Sequence, residues 1–165
     1  MGCIGRGVLA AALVFATAGA ALADDLVGRA SVIDGDTIEI HGIRIRLFGI
    51  DAPESRQLCT DRSGQQYRCG QVAALALADR IGQRTVHCEP RDTDRYGRTV
   101  AICSAGGENL NGWLVAQGHA VAYRRYGGKI FDTEETEARA AGRGVWQGEF
   151  QLPWEWRREH KRGGR

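Results

Sequence analysis

Residues 26–54 read LVGRASVIDGDTIEIHGIRIRLFGIDAPE. Three short extended runs are separated by turn chemistry. From Leu26 to Ile33, Val27, Ala30 and Val32 are interspersed with Gly28, Arg29 and Ser31. Asp34-Gly35 is a turn pair. Thr37 to His41 forms a second run. Ile43 to Ile50 forms a third, with Ile43, Ile45 and Leu47 on one face and Arg44, Arg46 and Phe48 on the other. Asp51-Ala52-Pro53 ends it, because proline has no amide hydrogen for the ladder. Three strands in quick succession imply a small β-rich domain.

The rest of the chain extends this pattern. Ser55 to Gly70 is a polar loop, and Gln71 to Gly82 a helix with Val72, Leu75, Ala76 and Ile81 among its apolar positions. Arg84 to Glu89 and Thr99 to Cys103 are two more strands, joined by the polar segment Pro90 to Arg98. Asn109 to Gln117 is a short helix with Leu110, Trp113 and Leu114 as its apolar stripe, stopped by Gly118. Val121 to Tyr126 is extended or irregular. Thr133 to Ala141 is a charged helix, with Asp132 or Thr133 as its N-cap. Trp113 and Trp146 read as core residues. Five short strands with about three helices predict an α+β, mainly β fold: a partly open five-stranded barrel of the oligonucleotide-binding (OB) type.

The 165 residues suffice for one domain with a real core and are too few for two ordinary ones. Arg6, the small apolar run Val8 to Ala23, and Ala21-Leu22-Ala23 before Asp24-Asp25 form a secretory signal peptide with an A-x-A cleavage site. The expected organisation is a signal peptide over 1–23, a barrel domain over 24–146 and a basic, Trp/Arg-containing extension over 147–165. No other segment is long enough to span a membrane. Cleavage removes Arg6 and no acid, so the formal charge falls from +2 to +1. Bulk charge therefore does not announce a polyanion binder. Arg157, Arg158, Lys161, Arg162 and Arg165 make a local patch, either a solubilising tail or a binding surface. Four cysteines remain, which allow three pairings. Cys59–Cys69 would close a polar loop. Cys88 and Cys103 flank the turn-rich segment Arg91 to Arg98 and would face each other across a hairpin. Zinc is not indicated: there is no C-x-x-C and the histidines lack ligand spacing.

The polar residues carry chemistry. Asp36 and Asp51 offer hard oxygen ligands of the kind calcium takes. Two carboxylates do not make a cage, so water and a substrate phosphate would complete the shell. Glu54 follows the rigid Pro53 and is able to handle a proton or a water. Arg46 and Arg98 carry guanidinium groups that bind phosphoryl oxygens in bidentate fashion. A salt bridge of Glu54 with Arg46 or Arg98 is compatible with that chemistry. Asp34 is a turn residue.

Val32-Ile33-Asp34-Gly35-Asp36-Thr37, Arg46 to Glu54 and Asp94-Arg95-Tyr96-Gly97-Arg98 together resemble the staphylococcal nuclease-like (thermonuclease) family, in order, spacing and strand context. The resemblance runs from about Leu26 to Trp146. It implies calcium on Asp36, Asp51 and the backbone carbonyl of Ala52. It implies water activation or positioning by Glu54, and phosphate binding and transition-state stabilisation by Arg46 and Arg98. Tyr96 and Tyr123 become candidate stacking faces for bases, and Arg95 a cation beside the polyanion; Tyr123 reads equally well as a packed tyrosine. The expected protein is an exported, periplasmic or secreted, calcium-dependent nuclease that hydrolyses DNA and RNA without sugar preference. Its products would end in 3′-phosphates, and a monomer would suffice. The competing reading is a non-catalytic nucleic-acid-binding module of the envelope on the same barrel. Two features depart from the staphylococcal prototype. Ser55 to Gly70 lacks its lysine-rich character, and Gln147 to Arg165 extends beyond it.

Overall fold

The turn at Asp34-Gly35 folds β2 (Ala30–Asp34) back onto β3 (Thr37–Ile40), and β4 (Ile43–Leu47) continues the meander. This is the arrangement in a computed structural model that describes Gly2 and residues 25–162. The expected signal peptide and Arg165 lie outside the described residues. The first expected strand is two, β1 (Leu26–Gly28) and β2, separated at Arg29. That break lets one run of chain serve two neighbours. β1 pairs with β8 (Val86–Thr93), and β2 pairs with β3. The sheet order is β1-β8-β9-β4-β3-β2, where β9 is Thr99–Ala105. Its two ends are consecutive in the chain, so the sheet closes on itself as a barrel and leaves little free edge. The β4–β9 pair is parallel and the others are antiparallel.

The α+β, OB-type fold therefore stands, with more elements than the sequence suggested. The sheet has seven strands rather than five, because the break at Arg29 divides one run into two and β10 (Glu108–Asn109) adds to β9. The third expected strand stops at Leu47. Gly49, at φ 75°, turns the chain, and β5 (Ile50–Asp51) leaves the main sheet. A β-carbon on Gly49 would come within 3.3 Å of the Gly127 backbone, so bend and contact both favour glycine there. The polar loop after Pro53 contains a hairpin, β6 (Leu58–Thr60) with β7 (Gln66–Arg68), clasped by the Cys59–Cys69 disulfide. A second disulfide joins Cys88 to Cys103, directly opposite each other on β8 and β9.

Five α-helices are described, against about three expected. In α1 (Cys69–Ile81) Cys69 is buried at the start, and Gly70, Ala73, Leu77 and Ile81 follow on the buried face, spaced by three or four. Val72 and Leu75 face outward instead, Leu75 at 65% exposure. α2 (Leu110–Ala116) is capped by Asn109, whose side chain accepts from the Gly112 amide. β11 (Val121–Ala122) pairs with β5, and α3 (Arg124–Gly127) follows where an irregular run was expected. α4 (Asp132–Ala140) begins after Phe131, which makes neither Asp132 nor Thr133 the N-cap. Its buried Glu135 accepts from the Ala122 amide and pairs with Arg124 and Arg139. That charge-assisted clamp holds β11, and β11 holds β5. A 3-10 turn (Gly144–Gln147) leads into the extension, which ends in α5 (Pro153–Arg162).

Ile38, Ile40, Ile45, Leu47, Leu77, Leu110 and Leu114 fill the barrel core. Trp113 packs against it in part. Trp146 belongs to a second cluster around Cys59, Cys69, Val121 and Val145. Buried Asn111 ties the sheet to the bend after β4. Its carbonyl accepts from the Cys103 amide, and its amide donates to the Phe48 and Ala101 carbonyls. Among the described residues no helix is long and apolar enough to cross a membrane.

Candidate active site

Register brings the first charged residues together. Arg46 on β4 lies opposite Thr37 on β3, next to Asp36 at the end of the Asp34-Gly35 turn. The bend at Gly49 then returns Asp51 to the same place. Arg46 sits between the two acids: Nη1 donates to Asp36 Oδ1 at 2.7 Å and Nη2 to Asp51 Oδ1 at 2.6 Å. Asp36 also accepts from the Ala52 amide at 2.8 Å and the Thr37 hydroxyl at 3.3 Å. Asp34 Oδ1 accepts from the Asp36 amide at 3.1 Å and so shapes the turn. Asp51 is fully buried and Asp36 only 3% exposed. Burial pushes the Asp36 carboxyl up to about 7, and Arg46 pulls the other way. Burial likewise opposes the Arg46 charge, but the two aspartates outweigh it and hold the guanidinium above its usual range.

Asp34, Asp36 and Arg46 line a cleft of about 480 Å³; Asp51, fully buried, is not part of its lining and is held by Arg46. Glu54, Arg98, Arg95, Tyr96 and Tyr123 line it too. Glu54 is placed by α1: a β-carbon on Gly70 would come within 2.1 Å of the Glu54 carbonyl oxygen, which leaves room only for glycine. Gln57, itself buried, accepts from the Glu54 amide at 3.2 Å and returns its own amide to the Glu54 carbonyl at 2.7 Å.

The β8–β9 turn delivers the second arginine. Asp94 organises it: Oδ1 accepts from the Tyr96 amide at 2.9 Å and the Arg98 amide at 3.0 Å, and Oδ2 from Arg98 Nε at 2.7 Å. Burial works against ionisation of Asp94. The Arg98 amide and guanidinium, with the Tyr96 amide, prevail and keep its carboxyl below the usual range. Asp94 thus has a positioning job that its place in the Asp94-Arg95-Tyr96-Gly97-Arg98 motif signalled without specifying. Arg98 and Arg95 flank the Tyr96 ring, with guanidinium carbons 5.6 and 5.0 Å from its centre. Tyr96 is 64% exposed, an open aromatic face.

Two placements differ from the sequence reading. Glu54 pairs with neither Arg46 nor Arg98. Its Oε1 accepts from Arg157 Nη1 at 2.7 Å. Arg157 also donates to both oxygens of Asp51, at 3.0 and 2.7 Å. Tyr123 has one ring face stacked on Trp154, with centres 5.1 Å apart and planes 16° from parallel. Both partners come from the extension, and no local sequence signal connects them to the cleft. Among the described residues no three His, Cys, Asp or Glu side chains stand at metal-holding spacing. Asp36 and Asp51 nevertheless form a buried pair of hard donors that attracts cations, as the two guanidinium groups on it show. That donor set fits a hard cation completed by water and phosphate.

The family model described as staphylococcal nuclease homologue matches residues 44–148. The match begins after Asp36 and ends before α5. The chain is 44% identical over 142 residues to succinoglycan biosynthesis protein ExoI of Rhizobium meliloti (strain 1021), covering 85% of this chain and 73% of that one. It is 37% identical over 171 residues to the micrococcal nuclease of Shigella flexneri, covering 93% and 92%. An uncharacterized endonuclease of Haemophilus influenzae (strain ATCC 51907 / DSM 11121 / KW20 / Rd) is 33% identical over 137 residues, covering 79% and 71%.

Proposed function

The chain belongs to the staphylococcal nuclease family and is a nuclease, a phosphodiester hydrolase, and from that premise we propose that it is exported, calcium-dependent and indifferent to the sugar. Its substrates would be DNA and RNA, and its products would end in 3′-phosphates. One observation carries this reading. A single cleft is lined by Asp36, Glu54 and two arginines from separate hairpins, Arg46 and Arg98, and the buried Asp51 is bonded to Arg46 from behind that lining. In-line attack by water needs those groups in one place. Asp36, Asp51 and the Ala52 carbonyl would hold calcium, which when bound supplies Lewis-acid polarisation of a phosphoryl oxygen.

The chain's own residues supply the rest. Glu54 takes a proton from the attacking water or orients it. Arg46 and Arg98 bind the phosphoryl oxygens as negative charge builds there. Asp94 anchors Arg98 through Nε, which leaves its two terminal nitrogens for a phosphate. Tyr96 stacks on a base, with Arg95 beside it; Tyr123 lines the same cleft packed against Trp154 and Tyr126. Recognition rests on phosphate and stacking, so base-edge readout is slight. The two disulfides are compatible with export. Residues 1–23 would be removed, leaving a nuclease domain to 146 and an extension beyond it.

The test is incubation of the oxidised protein with single-stranded DNA and with RNA, in calcium or in chelator. We expect cleavage of both in calcium and of neither in chelator. Retained binding without calcium-dependent cleavage would overturn the reading. Arg98→Ala is expected to lower turnover by about 10²–10³-fold, the cost of losing one preorganised donor to the transition state. Among the described residues its side chain makes one ion pair, with Asp94, and lies beside the exposed Tyr96 ring in a solvent-facing turn. The unfolding midpoint should therefore hardly move, and a near-normal rate would remove Arg98 from the mechanism.

A further inference from the structure

The extension is docked from Glu149 to Arg157. Thr60 and Glu149 exchange backbone and hydroxyl hydrogen bonds: the Thr60 amide and hydroxyl donate to the Glu149 carbonyl at 2.9 and 3.1 Å, and the Glu149 amide returns to the hydroxyl at 2.7 Å. The Gln57 side-chain amide donates to the Gln151 carbonyl at 2.6 Å. Phe150, Leu152 and Trp154 pack on the second apolar cluster. Trp154 then stacks on Tyr123, and one turn later Arg157 enters the cleft. The stapled β6–β7 hairpin is thus the anchor from which α5 is aimed at the site.

Arg157 leaves Asp51 nothing to offer. Oδ1 of Asp51 accepts from Arg46 and Arg157, Oδ2 accepts from Arg157, and the side chain has no solvent exposure. Calcium binds carboxylate oxygens at about 2.3–2.6 Å, and the Arg157 guanidinium stands where such contacts to Asp51 would form. Glu54 is engaged by the same guanidinium. Charge points the same way. Asp36, Asp51 and Glu54 carry three negative charges, which Arg46 and a divalent ion together would balance. With Arg157 still seated, the cluster would carry an excess positive charge in a mostly buried place.

We propose that Arg157 is a built-in occupant of the catalytic carboxylates, which calcium must displace, so that residue 157 sets the enzyme's calcium affinity. The inference rests on the calcium-dependent reading above. Displacement frees Asp51 for the ion and Glu54 for water in one movement. Arg157 is a positioning residue: it acts through Asp51 and Glu54 rather than on the reacting atoms.

Calcium titration by calorimetry on the oxidised, chelator-stripped full chain tests this, comparing the parent with Arg157→Gln and Trp154→Ala. Arg157→Gln is expected to bind calcium about 10- to 100-fold more tightly, the factor set by no longer breaking charge-assisted hydrogen bonds. The calcium concentration for half-maximal cleavage should fall in step. Trp154→Ala, which loosens the helix from Tyr123, should move affinity the same way by less, and it decides the matter should Arg157→Gln not fold. A merely structural arginine would change stability without tightening calcium binding. Equal or weaker calcium affinity in the variants overturns the proposal. Calcium binding by all three proteins without cleavage would overturn the nuclease mechanism and leave the Arg157 comparison standing. No binding by any of them overturns both.

Discussion

Glu54→Gln is expected to lower turnover by about 10²–10⁴-fold, the usual worth of a positioned general base. Glutamine keeps the shape and an oxygen acceptor and loses the basic carboxylate. The backbone contacts that place residue 54 do not depend on its charge. Gly70 packs against its carbonyl, and Gln57 holds its amide and carbonyl. Arg157 keeps both contacts to Asp51 when Glu54 changes. The variant should therefore unfold within about 0.5 kcal/mol of the parent, as for a substitution that breaks no buried feature. Substrate affinity should change little if, as proposed, Arg46 and Arg98 hold the phosphate, so the loss falls on kcat rather than KM. Rate and unfolding curves measured on one preparation check both halves. A near-normal kcat in a folded variant would leave Glu54 without a catalytic role.

What the sequence disclosed about this site depended on distance along the chain. Asp36, Arg46, Asp51 and Glu54 fall within one meander, and alternation along Ile43 to Leu47 already puts Arg46 on the face away from Ile45. Strand register does the rest. Arg98 is remote, but it sits at a hairpin tip whose Asp and Gly announce a turn, and Asp94 does organise that turn. Closure of the barrel was harder to see. It depends on a break at Arg29 that alternation alone does not mark, since Leu26 to Ile33 reads as one strand. The β6–β7 hairpin was hidden for a related reason. Its strands are three residues each, too short for a period to declare itself. In α1 the same alanine-rich composition fits two helical phases, and packing against β2 and Glu54 selects the one that exposes Leu75.

Arg157 is the extreme case. It reaches Asp51 across 106 positions and Glu54 across 103. Within its own helix it is one basic residue in Arg157-Arg158, and nothing separates it from a solubilising charge. Only tertiary docking through Gln151, Trp154 and the Cys59–Cys69 hairpin distinguishes the two. Arg158, its neighbour, is mostly exposed and pairs weakly with Glu155 at 3.9 Å. Adjacent arginines thus differ entirely in what they touch.

Arg46→Ala is expected to be the most damaging change, because it removes a structural counter-ion and the proposed phosphate clamp together. Breaking a buried pair by deleting one partner costs up to about 3–5 kcal/mol where the abandoned acid stays charged; Asp36, already pushed up to about 7 with Arg46 in place, relieves part of that cost by taking up a proton. The two acids fare differently. Asp51 keeps Arg157. Asp36 keeps only the Ala52 amide and the Thr37 hydroxyl, no cation. The damage should therefore centre on Asp36 and on the β3–β4 end of the barrel that carries it. Urea unfolding in chelator should show the stability lowered by up to that amount, read as a lower midpoint with little change in slope. Adding calcium should return part of the loss by mass action, since a site that has lost Arg46 still holds both carboxylates. Turnover should not return with it. The developing charge on phosphorus would lack one of its two arginines, at a cost of about 10²–10³-fold. Arg46→Lys separates the roles further. Its ammonium is able to reach one carboxylate but not bridge two as the forked guanidinium does, so it should recover more stability than activity. Full stability in Arg46→Ala would mean that Asp36 is neutral in the parent and needs no partner. Full activity would take Arg46 out of the transition state.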